Sequence, residues 1–214
     1  MFSMMNELRK LMEASVTRKI KSIKVDRVDP TEELTVDNPT DLTLIGIGKK
    51  SVTFHLDETR IVKIYAKEGR AEEEYNLLHK GAVYGITPKV YLFGPTFLVL
   101  ESLKTPNLLS YMEMNGLSQE FTSRLLRLLS VSKELGWGSG HAPEDIYVMP
   151  DGTLKVVNIS DKAVSADYPP KKLLKGLGTW TGVFLQHLEV LNPELHQQWI
   201  NHPESQKYVT KTSL

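Results

Sequence analysis

The sequence contains no cysteine. Disulfide bridges, thiolate nucleophiles and Cys-ligated zinc or iron–sulfur centres are therefore excluded. Nor is there an excess of either charge, since 26 Lys+Arg stand against 26 Asp+Glu over 214 residues. Nucleic-acid binders usually carry a basic excess that displaces counterions, so this balance argues against a nucleic-acid partner. No apolar run approaches the roughly 20 residues needed to span a bilayer, and no transmembrane segment is expected. The N-terminal stretch sets Glu7 and Glu13 among its apolar residues and lacks the uninterrupted core of a secretory signal. These absences point to a cytoplasmic globular protein. What is present, 41% hydrophobic and 24% charged residues, is the composition of an ordinary folded chain. The length suits one domain or two small lobes sharing a core.

Periodicity divides the chain into three stretches. Residues 3–23 read as an amphipathic helix, with Met4, Met5, Leu8, Leu11, Met12 and Val16 at helical intervals and basic residues on the other face. Such a stripe packs on the protein's own core or lies on a membrane surface. A polar segment with two prolines, 26–40, reads as a connector. From Asp41 the pattern changes to short strands at 42–47, 52–56, 60–66, 89–93 and 96–100, interrupted by one helix at 68–80. After Pro106 the chain reads as mostly helical, with helices at 107–114, 118–135, 171–191 and 193–201. A hairpin interrupts them, its strands at 146–149 and 154–158 flanking the Pro150-Asp151-Gly152 turn. The fold class is α+β. The boundaries are 1–40 for the N-terminal helix and connector, 41–103 for the sheet and its exit strand, and 104–214 for the helical part.

Candidate chemistry starts at Ile45-Gly46-Ile47-Gly48-Lys49-Lys50-Ser51, between two expected strands. Glycines there let backbone N–H groups approach phosphate oxygens without a Cβ in the way. The same dipeptide spacing also serves a plain β-turn, and Ser51 stands where a third glycine would complete the motif. In Arg60-Ile61-Val62-Lys63-Ile64-Tyr65, period two puts Ile61, Lys63 and Tyr65 on one face. A lysine among apolar neighbours either snorkels to water or is held by a carboxylate, because an unpaired buried charge costs several kcal/mol. The next helix offers Glu72, Glu73 and Glu74, and Glu74 lies one turn before an apolar position, Leu78, which favours it as the inward-facing acid.

These residues together resemble the small lobe of the protein kinase family. The Gly-rich hairpin, the Val-Lys-Ile-Tyr strand, the glutamate helix and two further strands arrive in the family's order. Leu98-Val99-Leu100-Glu101-Ser102-Leu103 resembles the fifth strand entering the hinge. The resemblance implies that the backbone at Glu101 and Leu103 receives an adenine edge, with Leu100 as gatekeeper. It implies further that Lys63, oriented by Glu74, meets the α- and β-phosphates of ATP. Residues 41–165 are covered, and the implied fold is bilobal: a five-stranded N-lobe with one helix, then a shortened helical C-lobe. The short C-lobe, with no Ala-Pro-Glu after the hairpin, is most similar to compact bacterial kinase-like proteins. Tyr168-Pro169-Pro170 is the nearest punctuation and reads as the start of the next helix.

The large-lobe motifs depart from the family. Gly138-Ser139-Gly140-His141-Ala142-Pro143-Glu144-Asp145-Ile146 aligns without a gap to the catalytic loop through its Pro-Glu-x-Ile frame. Gly140 then falls at the catalytic aspartate and Asp145 at the metal-binding asparagine. Asn158, in Val156-Val157-Asn158-Ile159-Ser160, replaces the aspartate that would ligate magnesium. Glycine offers no proton acceptor, and losing a positioned base costs about 10²–10⁴ in rate. Asn158 brings an amide oxygen but no charge, so magnesium binding through Asp145 and Asn158 is expected to be weakened. His141 and Glu144 are weak candidates for a displaced proton acceptor, and His141 reads more readily as a loop histidine with no catalytic role. Asp161 reaches a metal only if the segment after Asn158 folds back.

Three functions follow from this pattern. The first is a pseudokinase that binds nucleotide and a protein partner as a regulatory module. The second is an active, atypical Ser/Thr or small-molecule kinase with a moved base. The third is an interaction protein without nucleotide.

Overall fold

The structure, a computed structural model, describes residues 2–27, 33–137, 141–159 and 169–203. Gly138, Ser139, Gly140, Ser160, Asp161 and Tyr168, singled out above, lie outside the described residues. The fold is α+β with a five-stranded sheet. The chain forms two compact units, Met1–Leu78 with Lys89–Leu103, and His79–Pro88 with Lys104–Leu214.

The first unit begins with α1 (Phe2–Ser22), followed by β1 (Lys24–Asp26) and β2 (Thr35–Asp37). These two strands pair antiparallel with Val25 opposite Val36, so part of the expected connector is a two-stranded sheet. The reason lies in its apolar residues, since Val25 and Leu34 are buried with the main sheet. That sheet comprises β3 (Thr43–Ile47), β4 (Ser51–His55), β5 (Arg60–Tyr65), β6 (Val90–Gly94) and β7 (Phe97–Glu101). Its order is β3-β4-β5-β7-β6, every neighbour antiparallel. Register sorts its side chains into two faces. Val52, Ile64 and Phe97 form one cross-strand row, and Phe54, Val62 and Val99 the next. All six are buried against Ile20 and Ile23 from the end of α1 and its following turn. The opposite face carries the row Thr53, Lys63, Leu98. Between β5 and β6 runs α2 (Arg70–Ala82), which begins two residues later than the pattern suggested.

The second unit is built around α3 (Leu108–Asn115) and α4 (Gln119–Glu134). Asn107 caps α3 by accepting the Ser110 N–H at 3.0 Å, and Ser118 caps α4 by accepting that of Phe121 at 3.1 Å. Phe121, Leu125, Leu128 and Leu129, the periodic residues of α4, are buried. They share a core with the hairpin of β8 (Ile146–Val148) and β9 (Leu154–Val156). The expected helix over 171–191 is two helices, α5 (Lys171–Leu177) and α6 (Thr181–Leu191), joined by a 3-10 turn. Gly178, at φ +55°, leaves the right-handed region there, a conformation that glycine adopts without a Cβ penalty. Thr181 Oγ1 donates to the Leu174 carbonyl at 2.8 Å across the break. The last element, α7 (Pro193–Asn201), brings Trp199 into the core. Among the described residues, no helix is long and apolar enough to cross a membrane.

Gly81, near the end of α2, has no room for a side chain, because an added Cβ would run into Thr87 and Trp137. Gly81→Ala is expected to lower stability by about 1–3 kcal/mol through overpacking. A urea unfolding midpoint measured beside the wild type checks it.

Candidate functional site

Lys63 is the centre of the first unit's polar face. Its position on β5 puts it between Thr53 of β4 and Leu98 of β7. From α2, Glu74 meets it with both carboxylate oxygens, at 2.8 and 2.9 Å from Nζ. The two side chains retain 14% and 18% exposure, so the pair is largely shielded from screening by solvent. The choice of Glu74 among three consecutive glutamates follows from helical period. Ala71 and Leu78 are buried and Tyr75 stacks on Phe93 at 4.9 Å. Glu74 shares their face, whereas Glu72 and Glu73 are exposed and Arg70 pairs Glu73 at 2.6 Å.

Tyr65, two positions beyond Lys63, completes this cluster. Its ring centroid lies 5.6 Å from Lys63 Nζ, within cation–π range. The ring is buried, and the Glu74 carboxylate interacts with its hydroxyl. Burial pushes the Tyr65 pKa up, and the negative charge of Glu74 pushes it further in the same direction. The hydroxyl therefore stays protonated. Tyr65 was placed on the lysine face by period two, but nothing in the pattern gave it a role.

The glycine-rich segment forms the β3–β4 hairpin. Gly48 N–H donates to the Ser51 carbonyl at 2.9 Å, and the ladder shifts register between Leu44 and Gly46. Neither Gly46 nor Gly48 has a positive φ, and a Cβ on Gly46 would meet nothing within 4 Å. Neither turn conformation nor packing therefore demands glycine at Gly46. Ser51 is buried at the start of β4, opposite Tyr65. The Arg27 guanidinium donates to the Lys49 carbonyl and ties the hairpin turn to the segment after β1, a link no sequence pattern announced.

At the end of β7, Leu100 is buried opposite Ile61. Glu101 is engaged twice with Lys89, donating its N–H to the Lys89 carbonyl at 2.9 Å and accepting the Lys89 N–H at 3.0 Å through Oε2. Ser102 N–H donates to Thr59 at 2.8 Å. The next N–H, that of Leu103, meets no acceptor among the described residues.

In the second unit, Glu144 and Asp145 lie on a 3-10 turn, Pro143–Asp145, leading into β8. Glu144 is exposed. Asp145 Oδ1 accepts a hydrogen bond from Asn158 Nδ2 at 2.7 Å. Asn158 has φ +54°, a left-handed conformation that asparagine tolerates better than most residues. An amide beside a carboxylate must present its nitrogen, so Asn158 turns a donor toward Asp145. As arranged, the pair does not offer two oxygens to one cation. Among the described residues, no group of three or more His, Asp or Glu is positioned to hold a metal ion. Magnesium would find one carboxylate here, that of Asp145.

His141 is a core residue. It is buried, with Trp137 edge-on at 6.2 Å between ring centroids. Its Nε2 lies 3.0 Å from Ser132 Oγ, which itself donates to the Leu128 carbonyl at 2.8 Å. With the hydroxyl proton so used, Nε2 must carry the ring's proton and donate it to Ser132. Burial, followed by the positive charge of Lys172, lowers the His141 pKa to about 4. The ring is therefore neutral near pH 7. No sequence pattern singles out Ser132, because a serine on α4 four residues after Leu128 is an unremarkable helix residue.

No protein-family model matches the chain, and no curated protein matches it.

His141 titrates near pH 6.5 when unfolded and near 4 when folded, so the unfolded state binds more protons between those values. Stability is then lost as pH falls through that window. The loss should reach roughly 3 kcal/mol at most. Melting midpoints from pH 7 to pH 4 should fall more steeply for the wild type than for His141→Gln, and parallel curves would show that His141 does not carry this dependence.

Proposed function

We propose that the chain is a protein kinase-like domain that binds nucleotide but has lost efficient phosphoryl transfer, a pseudokinase working as a regulatory module for a protein partner. The observation that carries the reading is the Lys63–Glu74 pair, an ammonium held by both oxygens of a carboxylate and largely out of water. A charge pair in such a place is weak support for stability. It suits a lysine that must be kept oriented for phosphate oxygens. Two further features support nucleotide binding: open space at Gly46 and the Leu103 N–H without an acceptor among the described residues. Against transfer stand Gly140 at the position of the base and Asn158 at that of a metal-binding aspartate. The mutual hydrogen bond of Asp145 and Asn158 adds to this, because it consumes a carboxylate oxygen that magnesium would need. ATP supplies adenine and phosphate contacts in this reading, and magnesium is a weak accessory.

A melting-temperature titration with ATP, ADP and AMP, each with and without magnesium or manganese, tests the proposal. Ligand at a hundredfold excess over its Kd adds about 2.7 kcal/mol, which moves the midpoint by several degrees. The expected outcome is a shift without metal, lost in Lys63→Met and kept in Asp145→Ala. A metal-dependent shift lost in Asp145→Ala, together with transfer of radiolabel from ATP, would instead establish the atypical kinase. No shift with any nucleotide would overturn nucleotide binding and leave the interaction protein.

A further inference from the structure

The second unit contains a concave site that the nucleotide reading leaves unused. A cavity of about 470 Å³ opens between the turn after α2, the outer side of α4 and the β8–β9 turn, with walls that include Val83, Tyr84, Arg124, Arg127, Val131 and Asp151. Its volume falls within the range of ligand-binding clefts.

Two aspects of its rim identify what it suits. The first is apolar. Val83 and Tyr84 are 83% and 49% exposed, although a valine and a tyrosine side by side lose free energy in water. Their backbone is not loose. Tyr84 and Ile86 N–H groups donate to the Gly81 carbonyl at 3.1 and 3.2 Å, and Gly85 N–H donates to that of Ala82 at 3.1 Å. The turn thus presents both side chains outward from a fixed frame, which lowers the ordering cost of covering them.

The second aspect is charge. Arg124 is committed, to Glu120 at 2.8 Å and to the Gly152 carbonyl at 3.1 Å. Asp151 directs Oδ1 to the Thr153 N–H and hydroxyl, at 2.9 and 2.7 Å, and these bonds hold its carboxyl below the usual range. Arg127, three residues further along α4, is exposed and has no partner among the described residues. Two of the wall's three charged side chains are cationic, and although Asp151 stays ionised, Arg127 is the one with unfilled hydrogen-bond donors, next to an exposed apolar pair.

We propose that this groove docks a short peptide segment of a partner protein, one that places an aliphatic or aromatic anchor beside carboxylates. The anchor covers Val83 and Tyr84 and the carboxylates meet Arg127. A peptide rather than a small molecule is favoured because Val83 stands at the rim, where a ligand wholly inside the cavity would leave it bare. The proposal is independent of nucleotide binding, since none of the lining residues belongs to the Lys63 cluster.

A random-peptide library displayed on phage, panned on the wild-type chain and counter-selected on a Val83→Asp, Arg127→Glu double variant, provides the probe. Both substituted side chains are exposed, and unchanged melting midpoints verify that the variants fold. The expected result is enrichment of sequences with Leu or Phe flanked by Asp or Glu. The leading peptide, labelled and followed by fluorescence anisotropy, should bind about tenfold or more weakly to Arg127→Glu. It should also bind more weakly to Tyr84→Ala, lose affinity with added salt, and bind Lys63→Met as it binds wild type. Enrichment of basic or uncharged peptides would overturn the proposal. So would winning peptides that bind the double variant equally well, or a selection yielding none that discriminates the two.

Discussion

An ammonium locked to both oxygens of one carboxylate constrains the first unit more than any other contact in it. Lys63 Nζ and Glu74 set the rotation of α2 about its axis, because only one of three consecutive glutamates can meet a lysine on β5. That rotation then turns Ala71, Tyr75 and Leu78 toward the sheet and leaves Glu72 and Glu73 to water. Removing one member of a shielded pair costs about 3–5 kcal/mol, yet replacing both with apolar residues is often neutral. Stability alone would therefore be served as well by two leucines. In the proposed reading, the pair serves a ligand that needs a positive charge at a fixed point.

Much of this unit was legible in the sequence because period two and helical period act locally. The lysine face of β5 and the identity of the inward glutamate both follow from spacing within a few residues. The β1–β2 pair did not, since its strands are only three residues long and the apolar residues Val25, Leu34 and Val36 sit among charges that read as a connector. What makes them strands is burial against distant residues, Val52 through Val99. The contact of Arg27 with the Lys49 carbonyl was equally invisible, because a long side chain finding a backbone oxygen leaves no periodic trace. In the second unit the single helix expected over 171–191 breaks at Gly178. The apolar stripe continues across the break, so periodicity carried straight through it.

The candidate site divides in the same way. Positions on regular elements were found by pattern, and positions on loops could be assigned roles only by resemblance. His141 illustrates the difference. In sequence it stands beside the position of a missing base; in three dimensions it donates to Ser132 inside the core and is neutral near pH 7. A general base needs access to the proton it removes, whereas a buried donor of this kind fixes a loop against a helix. Its polarity is accounted for by Ser132 and by the Leu128 carbonyl beyond it, which leaves nothing about the ring that requires a catalytic explanation.

Net charge is zero, but the balance hides how unequally the charges are committed. Lys63 is held by Glu74, Arg124 by Glu120, Arg60 by Asp57 and Arg70 by Glu73. Exposed pairs of the last three kinds contribute little to stability, and their main consequence is to neutralise surface that would otherwise attract ions of either sign. Arg127, without a partner among the described residues, lines the same groove as exposed Val83 and Tyr84. Electrostatic attraction in water acts over about 8–10 Å at physiological salt, so a carboxylate approaching the groove is drawn by Arg127 and opposed by Asp151, which stays ionised with Oδ1 occupied by Thr153. A chain with no overall charge can in this way still select the sign of what docks on it.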